Sequence, residues 1–196
     1  MTTLLAEWES THLQVRHRWT VAEYHHMAEA RLLNEDSRVE LIDGEIIEMA
    51  PIGSSHGGEV KYFSNKFVAQ LSGQVIVSVQ DPVVLGGYEE PQPDIALLRW
   101  RDDYYRTAHP HGEDVLLIIE IADSTLRYDR DVKVPLYAQH GIPEVWLLDL
   151  KNQQLDIYRV PLNGQYQQRD CRNIGKVTPI LCPDAVIDLA EIFPKS

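Results

Sequence analysis

Apolar residues recur every third or fourth position in some stretches of the chain and run almost unbroken in others, and that contrast predicts the layout. From Trp19 a helical spacing runs to about Leu33, with Thr20 as N-cap and Glu23 three residues on, a capping-box pair. Arg38-Val39-Glu40-Leu41-Ile42 and Glu45-Ile46-Ile47-Glu48-Met49 flank Asp43-Gly44, the pattern of a tight β-hairpin. A second helix is expected from His56 to about Leu71, capped by Ser54 or Ser55, with Val60, Phe63, Phe67 and Leu71 on one core face. Three apolar runs follow, at 75–79, 95–98 and 115–122, and the last two barely alternate, as strands covered on both faces do. Between them, residues 100–112 form a polar, aromatic-rich connection that reads as a flexible flap.

Downstream, residues 129–140 read as a helix closed by Gly141, although Pro135 within it predicts a late start or a kink. Residues 144–149 read as a strand, 154–160 as a paired edge strand, and the remainder as short strand-like pieces with a tail at 189–193. The order helix, hairpin, helix, three strands, helix, strand predicts an α/β or α+β layer fold, a central mixed sheet flanked by helices. Residues 1–18, lacking a steady period, read as an N-terminal arm, and 19–196 as one domain, which suits a chain of 196 residues.

Composition narrows the function classes. With 44% hydrophobic and 24% charged residues the chain has the balance of a globular protein. No run approaches the roughly 20 apolar residues of a membrane span, and the opening MTTLLAEWES does not look like a signal peptide, so the expected location is the cytoplasm, without membrane association. Cys171 and Cys182 fit free thiols in a reducing compartment. His25-His26 and His109-Pro110-His111 lack a spacing that clamps one metal from a single helix face, and are expected to face solvent. The formal charge of −12 argues against tight general binding to nucleic acid, whose affinity comes from neutralising phosphates.

Two carboxylates stand out against the apolar runs. Glu120 interrupts Leu116-Leu117-Ile118-Ile119-Glu120-Ile121-Ala122, where a bare charge costs several kcal/mol unless a cation, a metal or a donor meets it. Asp94 stands directly before Ile95-Ala96-Leu97-Leu98; alone it reads as a turn residue, as Glu120 alone reads equally as half of an ion pair. Together, on strands expected to be neighbours, they offer the hard oxygen ligands that Mg²⁺ or Mn²⁺ takes. Lys133, on the helix after the Glu120 strand, could bring an ammonium to the same place; otherwise it is a surface lysine.

In order along the chain, Val39-Glu40-Leu41-Ile42-Asp43-Gly44-Glu45, Pro93-Asp94, Glu120 followed by Asp123-Ser124-Thr125, Asp129, Lys133, Tyr137, residues 141–149 from Gly141-Ile142-Pro143 to Asp149, and the closing Ile192-Phe193 resemble the Uma-two family of the PD-(D/E)xK restriction-endonuclease-like superfamily, over residues 18 to 195. The resemblance implies a restriction-endonuclease-like core and a metal-dependent endonuclease acting on phosphodiester bonds in DNA, with Asp94 and Glu120 as metal ligands and Mg²⁺ or Mn²⁺ as cofactor. The superfamily's usual lysine two residues after the glutamate is absent, Ala122 standing there, and Lys133 matches the lysine relocated to the next helix. His56 matches a histidine that opens a helix in related sequences, and the further acidic residue is either Glu40 or Glu59; these are expected to serve as outer ligand or proton relay. Arg127, Arg130, Lys133 and the flap arginines Arg99, Arg101 and Arg106 are expected to form a small basic rim, giving weak, metal-dependent contact with nucleic acid. Alternatives from other classes are a catalytically idle nuclease-like binding module and a nucleotide phosphodiesterase. The number of apolar strands and the long connections suggest a homodimer.

Overall fold

In the computed structural model, residues 16–33 and 37–193 are described; most of the expected N-terminal arm lies outside them. Helix α1 (Val21–Glu29) starts at the expected cap: the Thr20 hydroxyl accepts from the Glu23 N–H at 3.2 Å, and the Thr20 N–H donates to the Glu23 carboxylate at 2.9 Å. It ends four residues before Leu33, the chain reversing at Arg31 with φ of +58°. Strands β1 (Val39–Ile42) and β2 (Glu45–Glu48) form the hairpin, Ile42 facing Glu45. Its two turn residues, Asp43 and Gly44, have φ of +51° and +73°, as a type I′ turn demands. The turn is also crowded: a Cβ on Gly44 would sit 2.6 Å from that of Arg18, whose guanidinium pairs with Asp43. Gly44→Ala is therefore expected to lower unfolding free energy by about 1–2 kcal/mol from backbone strain, and further from the clash. A urea midpoint equal to wild type would show that the hairpin does not need this turn.

Helix α2 (Ser54–Gln70) begins two residues earlier than expected, with Gly53 as N-cap, so neither Ser54 nor Ser55 caps it; no side chain bonds the cap. Val60, Phe63, Phe67 and Leu71 are buried as the spacing predicts. The main sheet has six strands in the order β3-β4-β5-β6-β7-β8: β3 (Val75–Val79), β4 (Ile95–Arg99), β5 (Val115–Ala122), β6 (Glu144–Asp149), β7 (Gln154–Leu162) and β8 (Gln165–Arg172). Only β5 and β6 run parallel, joined by a helical crossover. The strand starting at Gln154 is thus not the edge; β8 is, and its mostly exposed sequence QYQQRDCR suits a strand with water on both faces. Short strands β9 (Lys176–Val177) and β10 (Ile187–Asp188) pair with each other, followed by helix α5 (Leu189–Ile192), numbered after the crossover helices.

Strand parity divides the core. Ile95, Leu97, Leu117, Ile119 and Ile121 pack with the α2 aromatic residues and Trp146, while Ala96, Leu98, Ile118 and Ala122 pack with Val134, Tyr137, Val145 and Leu147 on the other face. Burial on both faces explains why β4 and β5 read as unbroken apolar runs. The crossover helix starts at Leu126, three residues before the expected 129, rather than late: α3 (Leu126–Tyr128) leads into a π-helical turn (Asp129–Lys133) and then α4 (Val134–Gln139). Within the wide turn the Val134 N–H reaches back five residues to the Asp129 carbonyl. Pro135, which has no N–H and would crowd the carbonyl four residues back in a regular helix, lies in the first turn of α4 and is accommodated by this widening.

Candidate functional site

The register of β4 against β5 decides where the two carboxylates meet. Ile95 faces Ile119, so Asp94, one residue before β4, falls opposite Glu120. Asp94 has the parity of Ala96 and Leu98, and Glu120 that of Ile118 and Ala122, which is the sheet face covered by the crossover helix. That helix brings the Lys133 Nζ to 2.9 Å from Glu120 Oε1 and 3.2 Å from Glu40 Oε2. Asp94, Glu120, Glu40, His56 and Lys133 all line one cavity of about 340 Å³, together with Arg38, Gln92, Tyr128 and Asp129. Ala122 shares the face of Glu120, so the ammonium arriving from the helix reaches the neighbourhood that a lysine at that strand position would have served.

Each acid is held by identifiable donors. Asp94 Oδ2 accepts the Ile121 N–H at 2.8 Å and lies 2.9 Å from His56 Nε2, and its Oδ1 accepts from the Gln80 amide at 3.2 Å. Burial pushes the Asp94 carboxyl up, but the His56 hydrogen bond and charge, with the Ile121 N–H, outweigh it and leave its pKa below the usual range. The same hydrogen bond raises His56 against its own desolvation. His56 Nδ1, on the other side of the ring, is buried with no hydrogen-bond partner among the described residues. Glu120 accepts from the Tyr137 hydroxyl at 2.5 Å, and burial drives it up to about 8, partly opposed by Lys133. Burial also works against the charge on Lys133, yet the surrounding Glu120, Tyr137, Glu40 and Asp129 hold its pKa well above the ordinary lysine value. Glu40 accepts from the Gln92 N–H at 3.1 Å and the Tyr128 hydroxyl at 3.2 Å.

Between the two candidates for the further acid, the geometry separates them clearly: Glu40 is 3% exposed and bonded to Lys133, whereas Glu59 is only partly buried and does not line the cavity. Asp129 joins the site unanticipated in role, buried at the start of the π-helical turn and bonded to the Thr125 hydroxyl at 2.6 Å. Tyr137 was also legible in principle, standing four residues after Lys133 on the same helix. The backbone and amide donors from Gln80 and Gln92 carry no sequence signal at all.

The expected basic rim is not formed. Arg99 lies at the far end of β4 from Asp94, about 17 Å away for five extended residues. The connection after it is tied to itself: Arg101 pairs with Asp103 at 2.6 Å and stacks over Tyr105, and Tyr105 donates to the Arg99 carbonyl. Arg130 is engaged by Asp131 at 2.8 Å, and Arg127 is exposed outside the cavity lining. Arg38 instead is the arginine in the lining, with one N–H on the Ala50 carbonyl at 2.8 Å.

A family model, Uma2, described as "Putative restriction endonuclease", matches residues 21–190. The chain belongs to the Uma2 family. The matched span contains Glu40, His56, Asp94, Glu120 and Lys133, and therefore the whole cavity. Among solved structures, a putative nuclease belonging to DUF820 from Anabaena variabilis ATCC 29413 is similar, with a TM-score of 0.70 over 89% of this chain and 97% of that one at 18% identity. At that identity the likeness establishes a shared fold, a mixed α/β architecture. No curated protein sequence matches the chain. No described helix is long and apolar enough to cross a membrane.

Proposed function

We propose that this Uma2 protein is an Mg²⁺- or Mn²⁺-dependent endonuclease hydrolysing phosphodiester bonds in DNA. The observation that carries the reading is the convergence, on one face of adjacent strands, of Asp94 and Glu120 with the Lys133 ammonium 2.9 Å from Glu120. The donor set fits a hard dication: Glu40, Asp94, Glu120 and Asp129 are all buried around the cavity, and Lys133 is the one buried lysine or arginine among the described residues. The acids outnumber the nearby cations Lys133, Arg38 and His56, and a small dication would supply positive charge at the carboxyls that burial disfavours as anions.

Asp94 and Glu120 would hold such an ion, and when bound it would polarise the scissile phosphate and acidify a water. The chain's own residues do the rest. His56 keeps Asp94 ionised and oriented; Tyr137 fixes the Glu120 carboxyl; Lys133 steadies negative charge as it develops on the phosphate oxygens. Water adds to phosphorus and one P–O ester bond breaks, leaving a hydroxyl on one fragment and a phosphate on the other. Glu40, by holding Lys133 from the opposite side, sets where that ammonium points.

The test is cleavage of plasmid and oligonucleotide DNA with Mg²⁺ or Mn²⁺. Wild type is expected to cut, and Asp94→Ala to lose at least about 100-fold in rate, the usual scale for removing one electrostatic element of an active site. Cutting that survives Asp94→Ala and Glu120→Ala would exclude the assignment. The charge of −12 and the lack of an arginine rim favour a second reading on one point, a phosphodiesterase acting on mono- and dinucleotides, which needs less phosphate contact. Hydrolysis of small phosphodiesters without cutting of DNA would select it; metal-independent stability with no hydrolysis of either would select an idle binding module. Light scattering on the purified chain tests the proposed homodimer.

A further inference from the structure

A second group of metal-ligating side chains lies outside the cavity, drawn from three separated segments. His25 is on α1, Glu90 is in the loop between β3 and β4, and His109 is in the connection between β4 and β5. One ligand atom from each falls within 4.8 Å of the others, the sole such trio found among the described residues. His25 Nε2 is 2.6 Å from Glu90 Oε2, and the two imidazole centroids are 5.8 Å apart. Glu90 is 4% exposed, and His25 is its side chain's only hydrogen-bond partner among the described residues. A buried carboxylate satisfied by one imidazole, with a second imidazole beside it, is an incomplete environment for its charge.

We propose that His25, Glu90 and His109 bind a borderline dication of the Zn²⁺ class. Two imidazoles and one carboxylate are the ligand set that such ions prefer and that Mg²⁺ does not. Bonds of about 2.0–2.1 Å in tetrahedral geometry place donors ~3.3 Å apart. His25 and Glu90 must therefore open slightly from their hydrogen bond, and His109, exposed on its connection, must close in. Three protein ligands leave a fourth position for water. The site, with two imidazoles and one carboxylate, is chemically unlike the carboxylate-rich cavity and does not depend on the nuclease reading.

Occupancy clasps parts of the fold that otherwise touch through few bonds. α1 is fastened to the β3–β4 loop by the Val21 N–H on the Gly87 carbonyl at 2.9 Å. Glu90 pairs its backbone with Leu41 in both directions, at 2.8 and 3.3 Å, next to Glu40 in the cavity. Two residues on, the Gln92 N–H holds the Glu40 carboxylate. A metal on Glu90 thus braces the segment that supports Glu40, and joins it to α1 and to the connection bearing His109. Chain spacing hid the trio because its members are distant in sequence and meet only in the fold.

The experiment uses the full chain stripped with a chelator, titrated with Zn²⁺ by calorimetry and with Co²⁺ by visible absorption, for wild type, His109→Ala, His25→Ala and Glu120→Gln. Wild type and Glu120→Gln are expected to take up one Zn²⁺ equivalent insensitive to excess Mg²⁺, to show the strong visible bands of tetrahedral Co²⁺, and to melt higher with Zn²⁺. His109→Ala, an exposed change that circular dichroism should show leaves the fold intact, is expected to lose that equivalent and the thermal shift, as is His25→Ala. Zn²⁺ uptake unchanged in His109→Ala, uptake lost in Glu120→Gln, or no uptake by wild type would each overturn the proposal.

Discussion

Lys133→Met is expected to lower the melting temperature by roughly 6–20 °C and to cut DNA hydrolysis by about 100- to 1,000-fold. Lys133 is 3% exposed, and its ammonium lies within 3.2 Å of both Glu40 and Glu120. Removing one partner of a buried ion pair typically costs about 3–5 kcal/mol, because the remaining charge has lost its solvent and its counter-ion together. Here Glu40 loses that counter-ion, and Glu120 loses the ammonium that partly opposes the effect of its burial, with Asp129 and Asp94 close enough to be felt there. Lys133→Arg separates the two roles. It keeps the charge, so much of the stability should return, but a planar guanidinium cannot take the place of a compact ammonium between two acids, and activity should stay low. A methionine variant that melts with wild type would show that Lys133 is not the counter-charge of this site.

That role for Lys133 was only half legible in the sequence, and the reasons are physical. β4 and β5 announced themselves as apolar runs because both sheet faces are covered, and the same continuity made Glu120 conspicuous. Once the strands are neighbours, side-chain parity puts Asp94 and Glu120 on one face without further information. The helix carrying Lys133 was harder: its π-helical turn breaks the regular spacing on which helix reading depends, and Pro135 pointed to a late start or a kink, where the structure has an early start and a widened turn. Residue spacing along an extended strand misled in the opposite sense. Arg99 is five residues from Asp94 in the chain but at the other end of β4 in space, so the connection that was expected to bring its arginines to the site leaves from the wrong end of the strand. β8 was legible only as an indistinct strand-like piece, because an edge strand wet on both faces has no apolar run to display. The donors to Asp94 and Glu40 from Gln80 and Gln92 depend on how a loop returns to the hairpin, which no local pattern encodes.

Glu120→Gln should separate stability from metal binding in opposite directions. In the folded protein burial raises the Glu120 carboxyl to about 8, against an ordinary 4.5. The folded state therefore holds that proton more tightly than the unfolded chain, so its contribution to stability is complete below about pH 4.5 and is lost as pH climbs towards 8. The slope is at most about 1.4 kcal/mol for each pH unit in that window. An amide cannot ionise, so without added metal the variant is expected to match wild type near pH 5 and to melt progressively higher than it between pH 6 and 8. Lys133 retains Glu40 as a partner in the variant, which spares it from becoming an unpaired buried charge. Addition of Mg²⁺ or Mn²⁺ then reverses the order: wild type gains stability from the bound ion, and the variant, missing one of two anionic ligands, does not. Calorimetric titration beside the melting curves reads both effects on the same samples. An unchanged Mg²⁺ isotherm would remove Glu120 from the ligand set, while equal melting curves across the pH range would show that its burial carries no charge penalty.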